Sequence, residues 1–263
     1  MIRVEHVYKR FGTVTAVHDV SFIASDGAVT GLLGPNGAGK TTALRMLYGV
    51  MRPDSGRIEV DGIDAVTNPL GAQARLGVLP DLAGLYPRLT AREHIHYYGQ
   101  LHNLDGAALA RRANELIHLL DMREIADRRA GAFSHGERTK VAFARALVHT
   151  PQHVLLDEPT NGLDVMSTRT VREIIRRLRD DGRCVLFSSH IMQEVSALCD
   201  TITVMARGQV VASGTADALR RDTGRDDLED AFVALVGTDP RAAADAALGP
   251  DRLRQDRLEQ DRP

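Results

Sequence analysis

Cysteine is scarce in this sequence. Cys184 and Cys199 are the only two among 263 residues, both sit in apolar surroundings, and neither belongs to a Cys-x-x-Cys or Cys/His spacing. That argues against a disulfide framework or a zinc site and leaves two reduced structural thiols as the expectation. Long apolar runs are missing as well. No window approaches the roughly 18 uninterrupted apolar residues that a membrane-spanning helix needs, and the opening Met1-Ile2-Arg3-Val4-Glu5-His6 lacks the apolar stretch of a secretory leader. A cytoplasmic location is expected, with any membrane role supplied through a partner. Charge of one sign is absent too: 33 Lys and Arg stand against 35 Asp and Glu, a net charge of −2. Such a balance supplies no basic field, so no nucleic-acid partner is expected. Internal repeats are not seen, and each motif below occurs once.

What is present is enough apolar material, 43% of the chain, for a sizeable core. Residues 1–30 alternate in short segments, such as Ile2 to Val4 and Val20 to Phe22, and turn at Asp26-Gly27, a pattern of β-strands near a sheet edge. The apolar run from Ala28 to Leu33 leads into a glycine-rich loop, after which Leu44, Met46 and Leu47 fall on helical spacing as far as Gly49. Arg57 to Val60, followed by Asp61-Gly62, reads as another strand and turn. From about 89 to 150 the period becomes helical, with Leu109, Ala113, Leu116, Ile117 and Leu120 on one face and Val141, Ala144, Leu147 and Val148 on another. Three apolar runs then suit parallel strands: Val154 to Leu156, Val185 to Phe187 and Ile202 to Met205. After about Gly237 the chain turns Ala-, Asp- and Arg-rich, and 237–263 is expected to be a polar tail, disordered or a frayed helix.

Gly34-Pro35-Asn36-Gly37-Ala38-Gly39-Lys40-Thr41 fits the phosphate-binding pattern GxxxxGK[ST], and it lies between a buried strand and a helix, as its mechanism requires. The glycines let backbone N–H groups turn inward around phosphates, and the helix start, running on through Thr42, adds its positive dipole end. Lys40 reaches the β/γ-phosphates and Thr41 offers a hydroxyl to Mg²⁺. Farther on, an apolar strand ends in Asp157-Glu158, at the end of a strand where open α/β sheets place ligands. In that position Asp157 would hold Mg²⁺ through its water shell and Glu158 would take a proton from the attacking water. A GTPase reading lacks support, since no Asn-Lys-x-Asp motif occurs. The histidines His94, His96 and His102 have no metal-like set of partners in the sequence.

Further residues carry a family resemblance. Phe133-Ser134-His135-Gly136-Glu137 resembles the LSGGQ signature of ABC-transporter ATPases, Pro159-Thr160-Asn161-Gly162-Leu163-Asp164 is similar to their D-loop, and Ser188-Ser189-His190 to their switch-histidine loop. The resemblance implies an α/β fold, a P-loop NTPase (RecA-like) core with an antiparallel β-subdomain and a helical insert at about 82–150, within a nucleotide-binding domain spanning 1–236. It implies ATP and Mg²⁺ as cofactors, and His190 as a hydrogen-bonding partner of the γ-phosphate and attacking water. Ser134 and Gly136 would bind the γ-phosphate held by a second ATPase subunit in a head-to-tail dimer, expected to be a homodimer, with mere capping of the helix that starts near Arg138 as their alternative. Phe11 stands where the family's adenine-stacking aromatic stands, with ordinary core packing as its alternative. A soluble ABC protein of the known kind would carry two ATPase units or a long inserted coiled coil, and neither is present.

Three residues depart from the family pattern. His135 replaces a Gly and Glu137 a Gln, which alters the charge beside the phosphate and suggests slower or more pH-sensitive hydrolysis. Asp81 replaces the Q-loop glutamine; it would act through Mg²⁺ or, pointing away, contact the groove for a separately encoded membrane permease. The stretch Gly77 to Glu93 together with Phe133 to Arg138 is similar to the ATPase subunits of NatAB-type sodium exporters, with daunorubicin-type drug exporters close in pattern. The expected role is to power efflux from the inner face of the cell membrane.

Overall fold

In the computed structural model, which describes residues 1–81 and 84–237, buried Ile2, Val4 and Val7 line one face of β1 (Ile2–Phe11), and Val17, Val20, Phe22 and Ala24 line β2 (Val14–Ala24). The two strands pair antiparallel, and the Asp26-Gly27 turn then leads into β3 (Val29–Leu33) and α1 (Lys40–Leu47). The chain returns through β4 (Ser55–Val60) and β5 (Ile63–Asp64), completing an antiparallel sheet of order β2-β1-β4-β5. A short α2 (Pro69–Gln73) precedes β6 (Leu76–Leu79). Three helices follow: α3 (Ala91–Leu101), α4 (Gly106–Leu119) and α5 (His135–Leu147). The remainder alternates as β7 (His153–Asp157), α6 (Val165–Asp180), β8 (Cys184–Ser189), α7 (Met192–Leu198) and β9 (Thr201–Ala206). It closes with β10 (Gln209–Gly214), α8 (Ala216–Thr223) and α9 (Leu228–Gly237).

The second sheet has order β10-β9-β3-β8-β7-β6, parallel except for the β9/β10 hairpin. Both of its faces are buried, and successive side chains divide between two cores. Val154 and Leu156 of β7, with Val185 and Phe187 of β8, join the core built by α3 to α9. Leu155, Cys184 and Leu186 point the other way, into the core shared with α1 and the antiparallel sheet. The continuous apolar runs of the sequence follow from this arrangement.

Register sets what the sheet offers at its edge. Leu33 pairs with Ser189, Asp157 with Ser188, and Leu79 with Leu156. The residues that emerge next, Gly34, Asp81, Glu158 and His190, therefore leave the sheet on the same side, in the crevice beyond the strand ends.

Two readings from the sequence need correction. β6 has no counterpart in the sequence reading, because four residues containing Gly77 and running into Pro80 show no usable alternation. Gly237 closes α9 instead of opening the tail; residues 238–263, on which the tail was expected, lie outside the described residues, as do Leu82 and Ala83.

Candidate active site

The phosphate loop ends at Gly39, which precedes α1 with φ 98° and has no side-chain cap. Only glycine adopts that backbone easily, and a Cβ there would stand 2.6 Å from the Ala16 carbonyl oxygen. Such a helix start has backbone N–H groups available to an anion. Lys40 is 6% exposed, and its Nζ donates to the carbonyls of Gly34 at 2.8 Å and Pro35 at 3.3 Å. The same Nζ lies 3.4 Å from Glu158 Oε1. These groups border a cleft of about 550 Å³ lined by Asn36, Gly37, Ala38, Gly39, Lys40, Thr41 and Thr42, and also by Phe11, Asp81, Glu158, Asn161 and His190. Its size suits a nucleotide-sized ligand.

Asp157, 2% exposed, is linked to this cleft through Thr41, one of the residues that line it. Its Oδ1 accepts from Ser188 Oγ at 2.6 Å and from Thr41 Oγ1 at 3.1 Å. Burial pushes the carboxyl above its ordinary pKa, the two hydroxyls oppose the shift, and the charges of Asp81 and Glu158 add to it. A site whose acid is destabilised by burial and by neighbouring carboxylates, and whose donors are all oxygen, has the chemistry of a hard divalent cation site. Glu158 has φ 49°, a conformation uncommon for residues with a side chain. Its N–H donates to Ser188 Oγ at 3.0 Å, and its Oε2 lies 2.9 Å from His190 Nδ1. The role of Ser188 as a clasp between Asp157 and Glu158 is invisible in the sequence, because it arises from strand register alone.

Phe11 is 47% exposed on the rim, so the core-packing alternative does not hold. Ser134 and Gly136 are not among the residues lining this cleft. Ser134 caps α5: its Oγ accepts from the Glu137 N–H at 3.2 Å, Glu137 Oε2 accepts from the Ser134 N–H at 2.7 Å, and Arg128 holds Glu137 Oε1 at 2.9 Å. Burial works against ionisation of Glu137, but the Ser134 N–H and the Arg128 guanidinium outweigh it and lower the pKa. At Gly136 a Cβ would stand 2.7 Å from Ser167 Oγ at the start of α6, so a side chain there would have to displace that hydroxyl. Two of the three histidines have local partners: His94 Nδ1 donates to the Thr90 carbonyl and Nε2 accepts from the Tyr86 N–H, while His102 stacks on His149 at 3.6 Å.

Asp26, His153 and Cys184 also converge, their ligand-type atoms lying within 4.8 Å of one another. The cysteine there is a buried thiol, its pKa pushed up to about 12 by burial, and its Sγ donates to the Ala24 carbonyl.

The family model described as ABC transporter matches residues 17–161. The ABC transporter ATP-binding protein NatA of Bacillus subtilis is 44% identical over 224 residues, covering 85% of this chain and 91% of that protein. The chain belongs to the family of ABC-transporter ATP-binding subunits. As a member of that family it binds ATP and is an ATPase. A daunorubicin resistance ATP-binding protein of Streptomyces coeruleorubidus is 37% identical over 228 residues, covering 87% of this chain and 72% of that protein. Among solved structures, the ATP-binding subunit of an ABC transporter superimposes with TM-score 0.83 at 28% identity, over 89% of this chain and 99% of that one. A dimeric post-hydrolysis cassette bound to ADP and Pi has TM-score 0.76 at 23% identity, over 82% of this chain and 98% of that one, a likeness of fold. No helix among the described residues of this ABC subunit is long and apolar enough to cross a membrane.

Proposed function

We propose that this chain is the motor of an exporter, hydrolysing Mg·ATP between two copies arranged head to tail and passing the resulting closure to a separate membrane permease. The observation that carries this reading is the gathering of Lys40, Thr41, Asp157, Glu158 and His190 at one sheet edge. Thr41 and Asp157 would hold Mg²⁺, which when bound offsets charge on the phosphate oxygens. The N–H groups from Asn36 to Thr42 cradle phosphate, and Lys40 exchanges its loop carbonyls for the β/γ-phosphates. Glu158 accepts the proton of the attacking water, and His190, 2.9 Å from that carboxylate, orients it toward the γ-phosphate. Phe11, on the rim, stacks on adenine. Ser134 and Gly136 act on the nucleotide of the other copy. Asp81 lines both this cleft and the neighbouring one toward α5, consistent with a role at the metal or at the permease groove.

The permease holds the subunit at the inner face of the membrane. Sodium is the cargo we favour, supported by the 44% identity to NatA and by the Gly77 to Glu93 and Phe133 to Arg138 stretches. Drug efflux is the second reading, supported by the daunorubicin-resistance relative. Vesicles containing this chain and its permease should accumulate ²²Na⁺ with ATP, and Glu158→Gln should abolish uptake while an ATP-bound dimer builds up on size exclusion. Hydrolysis by Glu158→Gln at the wild-type rate would overturn the site. Uptake of daunorubicin without Na⁺ would overturn the cargo.

A further inference from the structure

The two clefts at the sheet edge share a wall made of Asp81, Glu158 and Asn161. His135 lines the second cleft, of about 750 Å³, on the far side of that wall. It is the first residue of α5, next to Ser134, and its Nε2 lies 2.9 Å from the carbonyl oxygen of Asn161. A carbonyl only accepts, so Nε2 carries the proton and donates. The Asn161 N–H in turn donates to the Glu158 carbonyl at 3.1 Å. One residue along, Gly136 approaches Ser167, whose Oγ donates to Asp164 Oδ2 at 2.8 Å. The helix start that carries Ser134 is thus hydrogen-bonded through His135 to the segment 158–164 that carries Glu158, and lies close to the start of α6 at Gly136. The glycine usual in the family's signature has no side chain with which to make that bond.

We propose that His135 is a positioning residue, a tether through which engagement of Ser134 on the other copy's nucleotide sets the placement of Glu158 in its own site. This rests on the roles of Glu158 and Ser134 given above. Closing the α5 start on a phosphate moves His135, His135 moves the Asn161 carbonyl, and the loop bearing Glu158 follows. The two sites then report to each other within each chain, and the tether acts on turnover and cooperativity, not on the affinity of a single site.

The test measures kcat, KM for ATP, the Hill coefficient and the melting midpoint of the full chain for wild type, His135→Ala, His135→Gln and Glu158→Gln. Loss of a positioning contact of this kind should lower kcat roughly tenfold. In His135→Ala, KM should stay within about twofold and the Hill coefficient should fall toward unity. His135→Gln, which keeps an N–H donor, should recover most of both. Wild-type kcat in His135→Ala would overturn the tether. So would an equal loss in Ala and Gln that tracks the melting midpoint, because packing would then be the whole contribution. Wild-type turnover in Glu158→Gln would instead remove the reading on which the tether rests. An inactive Glu158→Gln beside a normal His135→Ala removes the tether alone.

Discussion

Two helix starts serve the proposed site, and they are built in opposite ways. α1 begins at Gly39 with no side-chain cap, so its N–H groups are satisfied by no neighbouring side chain and by nothing so well as an anion. α5 begins at Ser134 with a complete capping box, its acidic member pinned by Arg128. The first end depends on its ligand; the second is finished without one and can be presented as a rigid element. Capping and phosphate contact are compatible at Ser134, because its oxygen accepts from the Glu137 N–H while its own O–H remains a donor. The comparison also changes the meaning of Glu137. The sequence pattern suggests added negative charge near a phosphate, whereas the structure shows that charge compensated by Arg128 and the Ser134 N–H.

Lys40→Ala should break the comparison most strongly. It removes the cation of the ligand-dependent end, and ATP affinity of the isolated chain should fall by more than about tenfold, as expected for a charge-assisted phosphate contact. Isothermal titration of the monomer measures it; equal affinity would count against the loop. Ser134→Ala strikes the self-sufficient end. It should cost about 1 kcal/mol of stability through the lost cap, read as a melting shift of about 2–4 °C for a chain of this size, with monomer ATP affinity unchanged.

The smallest effect concerns pH. The folded pKa of Glu137 is lowered, so its contribution is present above the unfolded carboxylate value and is lost as pH falls through the lower folded value. Glu137→Gln retains the cap geometry without the charge, so the mutant's melting midpoint should depend less on pH across the ordinary carboxylate range and below it. A parallel pH dependence in the two proteins would show that the ionised Glu137, held by the Ser134 N–H and Arg128, contributes nothing to stability.

Much of this site is legible in the sequence because its parts are contiguous. Gly34 to Thr42, Asp157-Glu158 and Ser188 to His190 each carry their chemistry at fixed spacing beside an apolar strand, and parallel register then brings their ends together. What stays hidden is contact between segments. The Ser188 clasp on Asp157, the Arg128 pairing with Glu137 and the His135 bond to Asn161 join residues whose separation in the chain signals nothing. β6 is hidden for a different reason, being too short for a period to show. The expectation for Phe11 divides on exposure, which is a property of the folded rim and not of the local sequence.

The central claim is that an uncapped helix start in one copy and a capped one in the other make a single site. Mixing Lys40→Ala with Ser134→Arg chains tests it directly. Neither mutant alone should hydrolyse ATP, but a mixed dimer carries one intact Lys40 facing one intact Ser134. With half the dimers mixed and one of two sites restored in each, the ceiling is about a quarter of the wild-type rate; the restored Glu158 lies in the chain whose Ser134 is lost, so the His135 tether lowers the expected recovery to about a tenth of that ceiling. No recovery in a mixture shown by mass to contain mixed dimers would contradict it.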